Sequence, residues 1–345
     1  MSKWASNAII TKAKAIYGRR LTPLDYTELT KKNTVGDVAE YLKNSKKFKE
    51  ILQDIQENSI HRGQLEELIK KANFNYVIRL IKFIDSSDKG FFEMNIIRRE
   101  TDILLTAAHS VISGEYQLAI AELPIYFVRH ASFDILELSK ARSFQNLLEV
   151  IKDTPYYQIL LPFTNMPKEE LNHAILERAF QEYYYDTVFA RIEKLYKGKI
   201  LKDLRNIFLT NIELLNIVKI YRMKKFYHAP NNVIEDSLLL KYSRISRNKM
   251  LDLMSLANPD DILKNMHSSE YKEYIDEDDY VYIEYLADHL KYNLAKRFMN
   301  FSYDAPTVFA AYVILSEIEQ QNIFNIIEGI RYDLEELEIK KMLIY

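Results

Sequence analysis

The sequence predicts an all-α protein, and three observations carry that prediction. Seven glycines and eight prolines in 345 residues are far fewer turn residues than a β-rich chain of this length needs. Apolar residues recur at spacings of three and four, the helical period. The prolines (Pro23, Pro124, Pro155, Pro162, Pro167, Pro230, Pro259 and Pro306) fall at the edges of the periodic segments, where proline fits a first helical turn or follows a helix end.

Taken in order, NAIITKAKAIYG (7–18) is the first predicted helix. Thr34 stands as an N-cap before Val35, Val38, Ala39 and Leu42; its hydroxyl can accept a first-turn amide, and those spacings share one helical face. Glu100 leads a third helix with Ile103, Leu104, Ala107 and Ala108. EYQLAIAELPIYFVRH (115–130) is the next predicted helix, followed by Ser143 capping Phe144, Leu147, Leu148 and Ile151. EYYYDTVFARIEKLY (182–196) and DDYVYIEYLADHLKYNLAKRF (278–298) are tyrosine-rich. Tyrosine favours strands, but their apolar residues keep helical spacing, so both are predicted as helices. Gly198 occupies the place of a helix C-cap. NNVIEDSLLLKYSRI (231–245) is a further predicted helix, and Glu213 and Glu319 each lead another.

The capped phrase is written three times. Leu138, Ser143, Phe144, Leu147, Leu148, Ile151, Thr154 and Tyr157 match, 109 residues earlier and without a gap, Leu29, Thr34, Val35, Val38, Ala39, Leu42, Ser45 and Phe48. A shift of 115 residues forward gives Leu253, Asn258, Pro259, Ile262, Leu263, Met266, Ser269 and, one residue early, Tyr271. A second anchor follows each phrase in the same order: Glu100 with its four apolar residues, Glu213 with Asn216, Ile217, Ile220 and Tyr221, and Glu319 with Asn322, Ile323, Ile326 and Ile327. The chain therefore divides into three helical repeats, 1–117, 118–232 and 233–345. Such units are too long for the usual solenoid repeats, which points to three subdomains.

Composition narrows the chemistry. A formal net charge of −2 gives no global field to draw a polyanion, so nucleic acid is not an expected partner. The absence of cysteine removes disulfides, thiolate zinc sites and cysteine nucleophiles. The N-terminal stretch lacks the apolar core of a signal peptide, and the longest uncharged C-terminal run, 305–316, is shorter than a membrane span. The expectation is an unexported protein with no transmembrane segment, peripheral if it meets a membrane.

No residue set points to catalysis. A di-metal helical bundle needs two Glu-x-x-His pairs, and only Glu170 with His173 fits. No Walker, dinucleotide or hydrolase-elbow motif occurs. No catalytic, cofactor-binding or metal-ligating residue is assigned, and no cofactor is expected. The acidic run Asp276, Glu277, Asp278 and Asp279 precedes a helix, and Arg222, Lys224 and Lys225 end one; both suit the helix dipole, and both also suit an oppositely charged partner. Glu100, Glu213 and Glu319 recur beside an apolar face. They are either its polar edge or partner-binding residues.

The phrases IYGRRLTPLDYTEL, TVGDVAEYLKNSKKF, SFQNLLEVIKDTPYY and AAYVILSEIEQQNIFNIIEGI together resemble the V/A-type rotary ATPase subunit called C in prokaryotes and d in eukaryotes. The resemblance spans most of the chain, with two departures: Pro259 replaces an apolar position, and Ala107 with Ala108 weakens the first glutamate-led helix. It implies a non-catalytic, all-helical, funnel-like body of three similar subdomains in a pseudo-threefold arrangement. Its implied partners are the rotor shaft subunits and the membrane proteolipid ring. It implies a cytoplasmic, peripheral place on the inner face of the membrane, where the chain acts as a central-stalk connector that couples ATP hydrolysis or synthesis to proton or sodium-ion transport. An independent helical scaffold or adaptor binding another protein is the alternative reading.

Overall fold

The computed structural model describes residues 3–82, 84, 89–115, 124–166, 173–256, 258–267 and 283–345. Its α-helices are α1 (Lys3–Tyr17), α2 (Pro23–Leu29), α3 (Val35–Lys43), α4 (Lys49–Leu52), α5 (Arg62–Ile81), α6 (Lys89–Phe92), α7 (Met94–Ser113), α8 (Ile135–Ser139), α9 (Phe144–Ile151), α10 (Tyr156–Leu160), α11 (His173–Leu195), α12 (Gly198–Lys225), α13 (Asn231–Ser237), α14 (Arg247–Ser255), α15 (Asp260–His267), α16 (Ile283–Phe301), α17 (Ala305–Arg331) and α18 (Glu336–Lys340). No strand occurs among the described residues. The chain is all-α.

The predicted N-caps at Thr34, Ser143 and Asn258 are present where the sequence puts them. Thr34 is extended, accepts the Asp37 amide at 3.1 Å, and its own amide bonds back to the Asp37 carboxylate at 3.0 Å. This is a reciprocal capping box that satisfies two otherwise orphaned donors. Ser143 accepts the Asn146 amide at 3.2 Å, and Asn258 accepts the Asp260 amide at 3.0 Å. Gly198, expected as a helix C-cap, instead opens α12 after the break that follows Leu195, and its φ of +59° is a left-handed backbone that glycine adopts without a Cβ clash.

Three further sequence expectations are corrected. Helix 115–130 is not continuous: from Pro124 onward the described part is a single 3-10 turn, Ile125–Phe127, followed by turns. Proline has no amide to give the preceding turn, so the helical ladder cannot run through it. The helix from Asn231 stops at Ser237, because Leu238 turns to an extended backbone and both Leu238 and Leu239 bury their side chains. In the third phrase Met254 is buried and Leu253 only half-buried, one residue from the expected inward position. Ser269, Tyr271, the acidic run 276–279 and Glu170 lie outside the described residues.

The chain forms two compact units, whose limits cross the repeat boundaries at 117 and 232. One contains residues 1–89, 197–221 and 256–345; the other contains 90–196 and 222–255. In the first, the long helix α17 packs most extensively on α16 and also on α1, α3, α5 and α18. Its Ile323, Ile326 and Ile327 share one core with Val38, Ala39 and Leu42 of α3 and Leu65 and Ile69 of α5. In the second, α7 packs against α9 and α11, and α9 against α8 and α10. Ile103, Leu104, Ala107 and Ala108 of α7 are buried, as are Leu147, Leu148 and Ile151 of α9. Apolar area removed from water at about 25 cal/mol per Å² drives both assemblies.

Candidate functional site

The three sequence-nominated glutamates are all inside the fold. Glu100 is 4% exposed, Glu213 0% and Glu319 6%. A carboxylate leaves water only when its oxygens find donors, since an uncompensated buried charge is costly. For two of the three, the donors are plain.

Glu319 sits one helical turn before the Ile323 core contact on α17. Its Oε1 accepts the Leu21 amide at 2.8 Å, and its Oε2 receives the Lys47 ammonium. The Lys47 side chain is 3% exposed. The lysine reaches inward because its own carbonyl is fixed by the Tyr76 hydroxyl of α5 at 2.7 Å. Next to this pair lies a small notch, lined among others by Tyr17, Arg20, Tyr26 and Tyr312. Burial, then the nearby Glu319 charge, push the Tyr26 hydroxyl well above the ordinary tyrosine range, because both disfavour a phenolate.

Glu100 repeats the arrangement in the other unit. Its Oε1 accepts the Ser132 amide, and its Oε2 accepts the Tyr156 hydroxyl at 2.6 Å. Burial first, and the Glu100 carboxylate second, raise Tyr156 far beyond its usual range. The phenol is a fixed donor. The glutamate on α12, Glu213, is fully enclosed, and eight residues along that helix the Tyr221 hydroxyl donates to Asp260 Oδ1 at 2.9 Å, at the start of α15.

Of the remaining candidates, His173 and the basic residues that end α12 lie among the described residues. His173 is exposed and stacks edge-to-face on His109 with ring centroids 5.0 Å apart. Among the described residues no three His, Cys, Asp or Glu side chains gather as metal ligands. Of the basic trio ending α12, Lys224 donates to the Met254 carbonyl, tying the helix end to α14. Lys47 is the functional position that the sequence does not single out. Lys47 was hidden in the charged run KKFKE, and its single signal is that its counterpart 109 residues on, Tyr156, also ends in a polar donor.

Exposed aromatics mark a different kind of surface. Phe226 and Tyr227, just after α12, are 62% and 70% exposed, and Tyr332, just after α17, is 66% exposed. Phe226 and Tyr332 are 106 residues apart, the same interval as Glu213 and Glu319. Large exposed apolar side chains of this kind suit protein interfaces. Among the described residues no helix is long and apolar enough to cross a membrane.

The family model for the ATP synthase (C/AC39) subunit matches residues 9–342. Comparison with curated proteins gives no match.

Proposed function

The chain belongs to the ATP synthase (C/AC39) subunit family, the C/d subunits of V/A-type rotary ATPases, and from that premise we propose that it is the non-catalytic central-stalk connector of such an enzyme. In this role it joins the rotor shaft to the membrane proteolipid ring on the cytoplasmic side, so that rotation driven by ATP hydrolysis moves protons or sodium ions, or the reverse. The observation that carries the reading is the family match over nearly the whole chain. One feature agrees with it. A torque coupler needs stiffness, and long helices with close-packed apolar seams resist deformation.

The three repeats, 1–117, 118–232 and 233–345, belong to this proposal as copies of one ancestral bundle. Glu100, Glu213 and Glu319 act in it as internal anchors that hold the glutamate-led helices in place, while exposed residues such as Phe226 and Tyr332 meet the partner subunits. Removing the chain from the membrane-bound ATPase is expected to leave ATP hydrolysis by the soluble head and to abolish ATP-driven ion transport. A holoenzyme that lacks the chain and still transports ions at full coupling would refute the reading. Phe226→Ala with Tyr332→Ala should keep the helical circular dichroism and lose co-purification with the shaft or the ring.

A further inference from the structure

The first two phrases share several bonds as well as their residue pattern. Thr34 and Ser143 each accept the amide three residues on. The Ser45 hydroxyl donates to the Leu42 carbonyl at 2.6 Å, and Thr154, its counterpart, donates to the Ile151 carbonyl at 2.8 Å. Two positions further, the same register pairs Lys47 with Tyr156. Both donate to a buried glutamate, Lys47 to Glu319 and Tyr156 to Glu100. In each case the second carboxylate oxygen takes a backbone amide from ahead of the phrase, Leu21 or Ser132, although these two residues are not counterparts in the register.

The glutamates are themselves equivalent positions, yet neither belongs to the repeat whose phrase it holds. Glu100 closes repeat 1 and grips the phrase of repeat 2; Glu319 closes repeat 3 and grips the phrase of repeat 1. The last helix of repeat 2 also meets the phrase of repeat 3, through a different bond with its donor on the helix, the Tyr221 hydroxyl to the Asp260 carboxylate. We propose that the Glu100 and Glu319 contacts are one latch used twice, fastening the last helix of repeat 1 to the phrase of repeat 2 and the last helix of repeat 3 to the phrase of repeat 1. The glutamate is the acceptor, the position of Lys47 and Tyr156 the donor, and either an ammonium or a phenol fills the donor role. This makes Lys47 a positioning residue. The inference rests on bonding inside the chain and not on the rotary assignment, so the two fail separately.

Amide hydrogen exchange in the full-length protein tests it. Glu319→Ala is expected to speed exchange at the Leu21 amide by about ten-fold or more and to leave Ser132 unchanged, and Glu100→Ala to do the reverse. Unchanged Leu21 exchange in Glu319→Ala would overturn the latch. Donor exchange is the sharper arm. Lys47→Tyr should keep Leu21 protected and hold the unfolding midpoint near the parent's, whereas Lys47→Phe, alike in shape but without the hydroxyl, should lose protection. Equal behaviour of Lys47→Tyr and Lys47→Phe would show that the position is not a donor site. If Glu319→Ala does not fold, Glu319→Gln serves instead: its lowered midpoint should recover when Lys47→Tyr is added, because a phenol needs no counter-charge. No recovery would overturn the proposal.

Discussion

Asn322 holds Ile344 by both of its amide atoms: its Nδ2 donates to the Ile344 carbonyl at 2.6 Å, and its Oδ1 accepts the Ile344 amide at 2.9 Å. A buried side chain on α17 thus supplies the two bonds that a neighbouring strand would otherwise give the C-terminal tail. Tyr345 then lies stacked on Tyr26, with ring centroids 4.8 Å apart. Asn322→Ala is expected to cost about 2–4 kcal/mol, because both backbone groups of Ile344 lose their partners in a buried place. Urea denaturation checks the size, and faster exchange at the Ile344 amide checks the cause. Asn322→Asp keeps an acceptor but removes the donor and buries a charge, so it should be no milder.

The Glu100–Tyr156 bond predicts an alkaline sensitivity of definite sign. Burial and the adjacent carboxylate keep Tyr156 un-ionised in the folded protein far above the ordinary tyrosine value of 10.0. Its contribution is therefore complete below about pH 10 and is lost as pH rises above that, where the unfolded chain binds fewer protons than the folded one. Tyr41 adds to the same slope, since burial and its bond to Asp25 push its hydroxyl up to about 12. Tyr156→Phe should flatten the fall in stability between about pH 10 and 12. At neutral pH the same variant should be less stable by about 1.5–3 kcal/mol, the worth of a hydrogen bond to a charged acceptor. Equilibrium unfolding at a series of pH values reads both effects.

Gly329 predicts a steric test of the α17–α18 contact. A Cβ at this position would stand 2.6 Å from Ile339 Cγ1 and 2.9 Å from Ile339 Cδ1, well inside contact distance, and Ile339 is itself buried. Gly329→Ala is expected to destabilise by about 1–3 kcal/mol through overpacking, despite alanine's better helix propensity. Adding Ile339→Ala to that variant makes room for the new methyl. The pair should then be less damaged than the sum of the two single changes. Strict additivity in thermal unfolding would show that the two sites do not press on each other.

What the sequence disclosed, and what it hid, divides along the range of the interactions. Thr34 and Ser143 were legible as caps because the donor and acceptor lie three residues apart, so local chemistry settles them. The inward faces of α3, α9 and α17 were legible because burial of a helical stripe leaves its period in the chain. Glu100 and Glu319 were legible as recurring positions but not as buried ones. A glutamate at the edge of an apolar stripe is written the same way whether it faces water or a lysine 272 residues distant. The grouping of each glutamate-led helix with the following phrase was hidden for the same reason: order along the chain is not order in the core. In the segment 115–130 the helical period runs on through Pro124, but the missing proline amide breaks the ladder there.

The two equivalent caps should respond unequally. Thr34 shares its box with Asp37, whose carboxylate takes the Thr34 amide at 3.0 Å and the Asn33 amide at 3.3 Å. In the second phrase the same place holds Asn146, whose side-chain carbonyl takes the Arg142 amide at 3.2 Å. Loss of either hydroxyl should cost about 1 kcal/mol. The reciprocal half differs, because the Asp37 carboxylate is a charged acceptor that also meets the positive end of α3, whereas the Asn146 amide is neutral. Asp37→Ala is therefore expected to destabilise more than Asn146→Ala, and the difference should shrink in high salt as the charge is screened. Urea denaturation of the two variants at low and high ionic strength checks both halves. An equal loss at low salt would mean that the charge adds nothing to the box.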